Sequence, residues 1–222
     1  MIFFYLGLLL VFYIGFKIGN VIYKTSFVKF LSAFSLAFLF YKFSFSFQFI
    51  LFAFFTFSLI FVSVVDYFHR IIPVIFPILL IITGVIFSFM NSVLGGTYLP
   101  RFANSILGIL TGGGVLLIAG LLGQLIYKKE VMGGGDVKLM AGVGAFIGWE
   151  KALFAIFFAA ITGSIAGLIL LAAKKIEKKE YIPFGPFLSS ASFITIFFPQ
   201  PSSFLNTFFI WEMHWLNKII AM

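Results

Sequence analysis

Long apolar runs without charge are the feature that most constrains what this chain can fold into. A helix needs about 20 consecutive apolar residues to cross the hydrocarbon core of a bilayer. Residues 43–65 meet that requirement without a single charged side chain. Other apolar runs are shorter or contain a charged residue. Counting all of them predicts about eight spans, at residues 2–23, 25–41, 43–65, 71–90, 102–127, 137–149, 152–173 and 182–198. The predicted fold class is therefore an all-α, polytopic membrane protein.

Composition excludes the other common classes of protein. Hydrophobic residues make up 62% of the chain and charged residues 10%, whereas about a quarter of a soluble domain is charged. A soluble chain of 222 residues cannot bury so much apolar surface, and disordered chains are poor in hydrophobic residues. The net charge of +8 suits cytoplasmic loops and anionic lipid headgroups, so we expect membrane lipid and no nucleic acid as partners. The absence of cysteine excludes disulfides and thiolate sites.

The distribution of Lys and Arg predicts how the spans are oriented. With the loop after the first span in the cytoplasm, most cationic residues outside the spans lie on the cytoplasmic side, and both termini lie outside. Residues 1–222 are predicted to form a single transmembrane domain, with residues 1–23 as an uncleaved anchor and residues 201–222 as an interfacial tail. Positions 66 and 136 are separated by two clear spans and therefore face the same side of the membrane.

The chain contains only two aspartates, and each lies at the edge of a predicted span. Asp66 ends an uncharged run, and Asp136 directly follows three glycines. Acidic residues at membrane depth are costly and are therefore candidates for a functional site. Two carboxyls on one face suit aspartyl proteolysis, in which one activates water and the other protonates the carbonyl oxygen and then the leaving amine. This chemistry needs neither a metal ion nor a cofactor, and we predict neither.

The glycine run before the second aspartate is predicted to bind the substrate. Gly133, Gly134 and Gly135 permit backbone conformations that are barred to other residues, and they allow another chain to approach closely. A substrate strand can therefore lie against this backbone, next to Asp136.

Both aspartates also fit purely structural roles. Asp136 can act as the N-cap of the helix that it opens, and Asp66 can pair with Arg70, one turn further on. A different function is also possible: in a small transporter or channel subunit, the aspartates would form a proton or cation site and the glycines would break a helix. A zinc protease is excluded because the chain has no His-Glu-x-x-His sequence.

Four short segments, taken in their order along the chain, allow a comparison with the sequence patterns of known families. They are Gly19-Asn-Val-Ile-Tyr-Lys24, Asp66-Tyr-Phe-His-Arg-Ile-Ile-Pro73, residues 133–149 beginning Gly-Gly-Gly-Asp136, and Ile182-Pro-Phe-Gly-Pro-Phe-Leu188. Together they resemble the sequence boxes of type IV prepilin peptidases, which are membrane aspartyl proteases with a Gly-x-Gly-Asp motif. The resemblance covers most of the chain.

The resemblance implies a catalytic dyad of Asp66 and Asp136, with Lys138 as a further substrate-binding residue. Lys138 equally fits a lysine that reaches out from the membrane edge. The implied substrates are prepilins or pseudopilins, whose short basic leader is cut at the cytoplasmic face of the bacterial cell membrane. Many members also carry a large cytoplasmic loop with paired cysteines, linked to methylation of the new N-terminus. This chain has only a short stretch at residues 24–29 there and no cysteine, so we expect a short form without methyltransferase activity.

Overall fold

The regular structure of the described chain is entirely helical. The computed structural model describes residues 26–129, 131–174 and 182–198. Its helices are α1 (Ser26–Phe43), α2 (Phe47–His69), α3 (Ile75–Ile86), α4 (Tyr98–Tyr127), α5 (Gly134–Ala172) and α6 (Gly185–Thr195), with two short 3-10 helices, Ser88–Met90 and Ser92–Leu94, between α3 and α4. The predicted all-α class is confirmed for these residues. The predicted anchor at residues 1–23 and tail at residues 201–222 lie outside them.

Three helices of the described chain, α2, α4 and α5, are long and apolar enough to cross a membrane. The runs at 137–149 and 152–173, predicted as two spans, both lie in α5, which the non-helical backbone of Gly148 divides into two helices. The run at 71–90 gives the 12-residue α3 and a 3-10 turn, and α3 is shorter than the length needed to cross a bilayer. The count of about eight spans and the placement of both termini outside stay predictions.

Clear local signals start and end α2. Ser46 precedes it in an extended conformation, and its hydroxyl accepts a hydrogen bond from the Phe49 N–H, which satisfies one of the free donors of the first turn. At the other end Arg70 adopts the left-handed conformation, with φ 57°, and its N–H donates to the Asp66 carbonyl. Pro73 follows, and the helix does not continue. The last turn of α2 therefore contains Asp66.

A kink at Gly148 divides α5. Gly148 has φ 81° and ψ 172°, which a residue with a side chain rarely adopts. Such a break interrupts the ladder of backbone hydrogen bonds. Two side chains compensate for it: Ser105 Oγ donates to the Ala145 carbonyl at 2.8 Å, and Asn91 Nδ2 donates to the Phe146 carbonyl at 2.7 Å. The break lies near the end of the first of the two predicted runs, 137–149.

Glycines let α4 and α5 approach backbone to backbone. A Cβ at Gly108 would collide with the Gly144 carbonyl oxygen, a Cβ at Gly144 would collide with the Gly108 carbonyl oxygen, and one at Gly112 would meet the Met140 carbonyl. Small residues at such contacts are the usual way in which membrane helices pack, since lipid supplies no hydrophobic driving force. This contact holds the first half of α5 in place.

Aromatic packing joins α2 to the other side of α5. Phe52, Phe55 and Phe146 are completely buried, and the ring centroids of Phe55 and Phe146 are 4.8 Å apart. The end of α2 and the start of α5, which carry the two aspartates, are thus parts of one packed unit.

Candidate active site

Asp66 is buried and bound to the start of α6. Its side chain is 3% exposed, although the next four residues are all exposed. Its Oδ2 accepts a hydrogen bond of 2.9 Å from the backbone N–H of Gly185, the first residue of α6. The first N–H groups of a helix have no partner within the helix and carry partial positive charge. The carboxyl of Asp66 therefore satisfies one of these donors.

Gly185 leaves no room for a side chain. A Cβ at this position would lie 2.6 Å from Asp66 Oδ2, well inside van der Waals contact. Gly185 belongs to the fourth of the family-like segments, yet the sequence assigns it no role. The local pattern is a glycine at the first position of a helix, followed by Pro186 in the first turn. Proline is common at that position, but nothing in the sequence identifies the partner of the Gly185 N–H.

Asp136 lies in the first turn of α5 and is not its N-cap. The N-cap is Gly133, and Asp136 is the third helical residue, with its N–H bonded to the Gly133 carbonyl at 3.1 Å. Its side chain is 4% exposed, and its Oδ1 has no hydrogen-bond partner in the described structure. The geometry therefore contradicts a capping role for this aspartate. Because buried polar atoms are normally paired, an unpaired carboxyl oxygen at this position favours a functional role.

Packing brings the two aspartate segments together. Gly135, next to Asp136, sits so close to Ile72 that a Cβ on it would lie 2.8 Å from the Ile72 Cβ. Ile72 belongs to the turn that follows Asp66. The carboxyl of Asp66 also acts electrostatically on that of Asp136. The segments that carry the two buried carboxyls are therefore packed against each other.

The remaining predicted site residues have different environments. Gly133 is half-buried, whereas Gly134 is exposed and a Cβ on it would meet nothing within 4 Å. Gly135 is needed for the contact with Ile72. Lys138 is exposed, so its side chain lies at the surface of the described structure. Substrate binding by the three glycines and Lys138 stays a prediction.

An ion pair with Arg70 was the structural alternative for Asp66. The Arg70 side chain is exposed, and the hydrogen bond that the Asp66 carboxyl accepts comes from α6. Among the residues that the structure describes, no group of three or more His, Cys, Asp or Glu side chains is arranged to hold a metal ion. The chemistry available to the described site is that of two neighbouring carboxyls, one able to take a proton while the other gives one.

Comparison with known proteins points to one family. Residues 53–168, just over half of the chain, match the type IV leader peptidase family. The prepilin leader peptidase/N-methyltransferase of Pseudomonas aeruginosa is 30% identical over 141 residues, which are 64% of this chain and 47% of that protein. The enzyme of the same name from Xanthomonas campestris is 32% identical over 139 residues, 63% of this chain and 46% of the relative. The one from Burkholderia pseudomallei is 37% identical over 78 residues, 35% of this chain and 25% of the relative.

The chain spans less than half of the length of these curated relatives, and no solved structure matches it. The family match nevertheless includes both aspartates and most of the two helices that carry them. By that match, the chain belongs to the type IV leader peptidase family.

Proposed function

We propose that this protein is a membrane aspartyl endopeptidase that removes the short basic leader of prepilins or pseudopilins. The observation that carries the proposal is the burial of two carboxyls, Asp66 and Asp136, at separate helix ends whose segments pack together through Gly135 and Ile72. Burial of two like charges is costly, and Oδ1 of Asp136 makes no hydrogen bond in the described structure that would offset this cost. The family match supports the class of substrate.

In the proposed reaction, the carboxyls act as a base and an acid. One carboxylate takes a proton from water, and the oxygen of that water attacks the scissile carbonyl carbon. The other carboxyl gives its proton to the carbonyl oxygen, which forms a tetrahedral diol. As the C–N bond breaks, the carboxyl that took the proton from water gives it to the leaving amine. The other carboxylate takes a proton from a hydroxyl of the diol, which becomes the new carboxyl group. The Gly185 N–H holds Asp66 in a fixed orientation throughout.

Position in the membrane forms a second part of the proposal. The dyad faces the cytoplasm, because the loops on that side carry most of the Lys and Arg residues. The protein is a multi-pass protein of the bacterial cell membrane with about eight spans. The predicted dyad lies near the membrane depth at which the basic leader of the substrate joins the apolar helix of the substrate.

Methylation is excluded from the proposal. The similar proteins are named as both peptidases and N-methyltransferases. This chain contains no cysteine, and the described segments between its helices are short.

The decisive experiment is cleavage by the purified full chain in detergent. The substrate is a synthetic prepilin peptide with a basic leader followed by an apolar helix, and a chelator is present throughout. We expect cleavage at the junction between leader and helix. A chain that leaves the peptide intact but moves protons or cations across vesicles would contradict the proposal and favour the transporter alternative.

A further inference from the structure

The two candidate catalytic carboxyls differ in one contact. Asp66 and Asp136 are buried to nearly the same degree, 3% and 4% exposed, so burial alone does not distinguish them. Asp66 Oδ2 accepts the N–H of Gly185, whereas Asp136 Oδ1 accepts from no group of the described structure. We propose that Asp66 rests as the carboxylate and acts as the general base, and that Asp136 rests as the neutral carboxylic acid and acts as the general acid. This inference rests on the proposed peptidase function.

The hydrogen bond from Gly185 favours the charged form of Asp66. An N–H donor binds a carboxylate more strongly than it binds a neutral carboxyl. Gly185 is the first residue of α6, so its N–H also belongs to the positive end of that helix. For a buried carboxyl oxygen without a donor, the charged form is the costly one. The surroundings of Asp136 therefore favour the neutral acid.

The dipoles of the two parent helices act in the opposite direction. Asp66 lies in the last turn of α2 and Asp136 in the first turn of α5, and a helix dipole favours negative charge at the start of a helix and not at its end. A direct hydrogen bond to a charged group contributes more than a helix dipole does. Asp66 has such a bond, and Oδ1 of Asp136 receives none from the described chain. The direct bond therefore decides the assignment.

Charged groups on the surrounding helices are few. Helices α3 and α6 contain no charged residue. The basic residues at the corresponding ends of the other helices are Lys29, His69, Arg70, Lys128 and Lys138, and all except the half-buried Lys29 are exposed, where water weakens their effect. The ionisation of Asp66 responds to its burial and to the Gly185 bond, and that of Asp136 responds to its burial and to the carboxyl of Asp66. Two like charges in such a site are unfavourable, which also favours one proton on the pair.

The assignment fixes the order of proton transfers in the proposed reaction. Asp66 takes a proton from water, and the water oxygen bonds to the scissile carbonyl carbon while Asp136 gives its proton to the carbonyl oxygen. As the C–N bond breaks, Asp66 passes its proton to the leaving amine, and Asp136 takes one from a hydroxyl of the diol. Both carboxyls thereby return to their resting states.

Infrared spectroscopy can test the assignment, because the chain contains only two aspartates. The full chain is made by cell-free synthesis with aspartate that carries a heavy carbon isotope in its side-chain carboxyl, and spectra are recorded in detergent at neutral pH. The wild-type protein should show one labelled carboxylate band and one labelled carboxylic acid band. Asp136→Glu, in which Asp66 alone is labelled, should keep only the carboxylate band. Asp66→Glu, in which Asp136 alone is labelled, should keep only the acid band.

The Asn variants repeat the measurement with side chains of the original size. Asp136→Asn should keep only the labelled carboxylate band of Asp66, and Asp66→Asn only the labelled acid band of Asp136. Thermal unfolding shows which variants are folded, and the wild-type spectrum tests the single shared proton without any substitution.

A further variant tests the cause of the difference. Gly185→Ala is made in the Asp136→Glu protein, where Asp66 alone is labelled. The added Cβ would lie 2.6 Å from Asp66 Oδ2 and displace the carboxyl from its donor, so part of the carboxylate band should become an acid band. Gly114→Ala is the matched control, because a Cβ there meets nothing within 4 Å, and its band should not change. An unchanged band in Gly185→Ala would overturn the role of this bond.

The outcomes separate the assignment from the proposed function. If the wild-type protein cuts the synthetic prepilin peptide but the acid band belongs to Asp66, the assignment is wrong and the proposed function stands. The same holds if both aspartates are found in one state. If the wild-type protein does not cut the peptide, the proposed function fails, and the assigned roles fail with it whatever the infrared bands show.

Discussion

The backbone N–H of Gly185 donates a hydrogen bond of 2.9 Å to Oδ2 of Asp66, across 119 positions of the chain. This single bond connects the last turn of α2 with the first turn of α6. It fixes the orientation of a buried carboxyl at the place where two helices end, and it requires a glycine.

Gly185→Ala should lower kcat for prepilin cleavage by about 100-fold, the loss typical of a catalytic group displaced by about 1 Å. The added Cβ would lie 2.6 Å from Asp66 Oδ2 and would push the carboxyl away. Steady-state kinetics on the synthetic peptide measure the effect.

Gly114→Ala is the matched control for that substitution, because a Cβ there meets nothing within 4 Å. It should keep full activity. A fully active Gly185→Ala variant would show that the position of Asp66 does not depend on this contact.

Asp66→Asn and Asp136→Asn should each reduce cleavage by at least about 1,000-fold, since each removes one half of the proton transfer. Both should still fold. An asparagine at 66 retains an oxygen that can accept the Gly185 N–H, and an asparagine at 136 replaces a carboxyl whose Oδ1 has no partner in the described structure.

Thermal unfolding in detergent checks that both Asn variants are folded. Substantial activity in either folded variant would rule out the aspartyl mechanism.

Gly144→Ala should destabilise the folded protein by about 3 kcal/mol, the upper part of the usual range for overpacking. Its Cβ would run into the Gly108 carbonyl of α4, and a backbone atom cannot move aside as a side chain can. Unfolding in mixed micelles gives the free energy, with Gly114→Ala again as the control. Equal stability of the two variants would mean that α4 and α5 are further apart than described.

Gly134→Ala tests the predicted role of the glycine run in binding. Because a Cβ there meets nothing within 4 Å, the thermal midpoint should not change, whereas KM should rise if the substrate lies against this backbone. Gly135→Ala should lose both stability and activity, since its Cβ would press on Ile72. An unchanged KM in Gly134→Ala would remove Gly134 from the substrate-binding set.

The purified chain should cleave a prepilin peptide without methylating the new N-terminus. The reason is the absence of cysteine and of a large loop between the predicted first and second spans. Incubation with labelled S-adenosylmethionine followed by peptide mass analysis measures both reactions at once. A labelled product, or saturable binding of S-adenosylmethionine, would contradict this prediction.

The sequence alone predicted the all-α class and the position of both aspartates near helix ends, because hydropathy and helix periodicity are local properties. It was also enough for the resemblance to the peptidase family, since the segments around Asp66 and Asp136 are short and contiguous. The sequence also separates two apolar runs, 137–149 and 152–173, and the structure divides α5 into two helices at Gly148, near the end of the first run.

Only the tertiary structure identified the partner of Asp66. Its carboxyl follows an apolar run, and Arg70 is a charged group one turn away in the sequence, yet the hydrogen bond comes from the backbone of a helix more than a hundred residues away. A backbone N–H carries no sequence signal, because every residue except proline has one. The packing role of Gly135 could not be predicted from the sequence either, because it depends on the position of Ile72, which is distant in the chain. Local pattern determined which groups exist at the helix ends, and the packing of α2, α5 and α6 decided which of them meet.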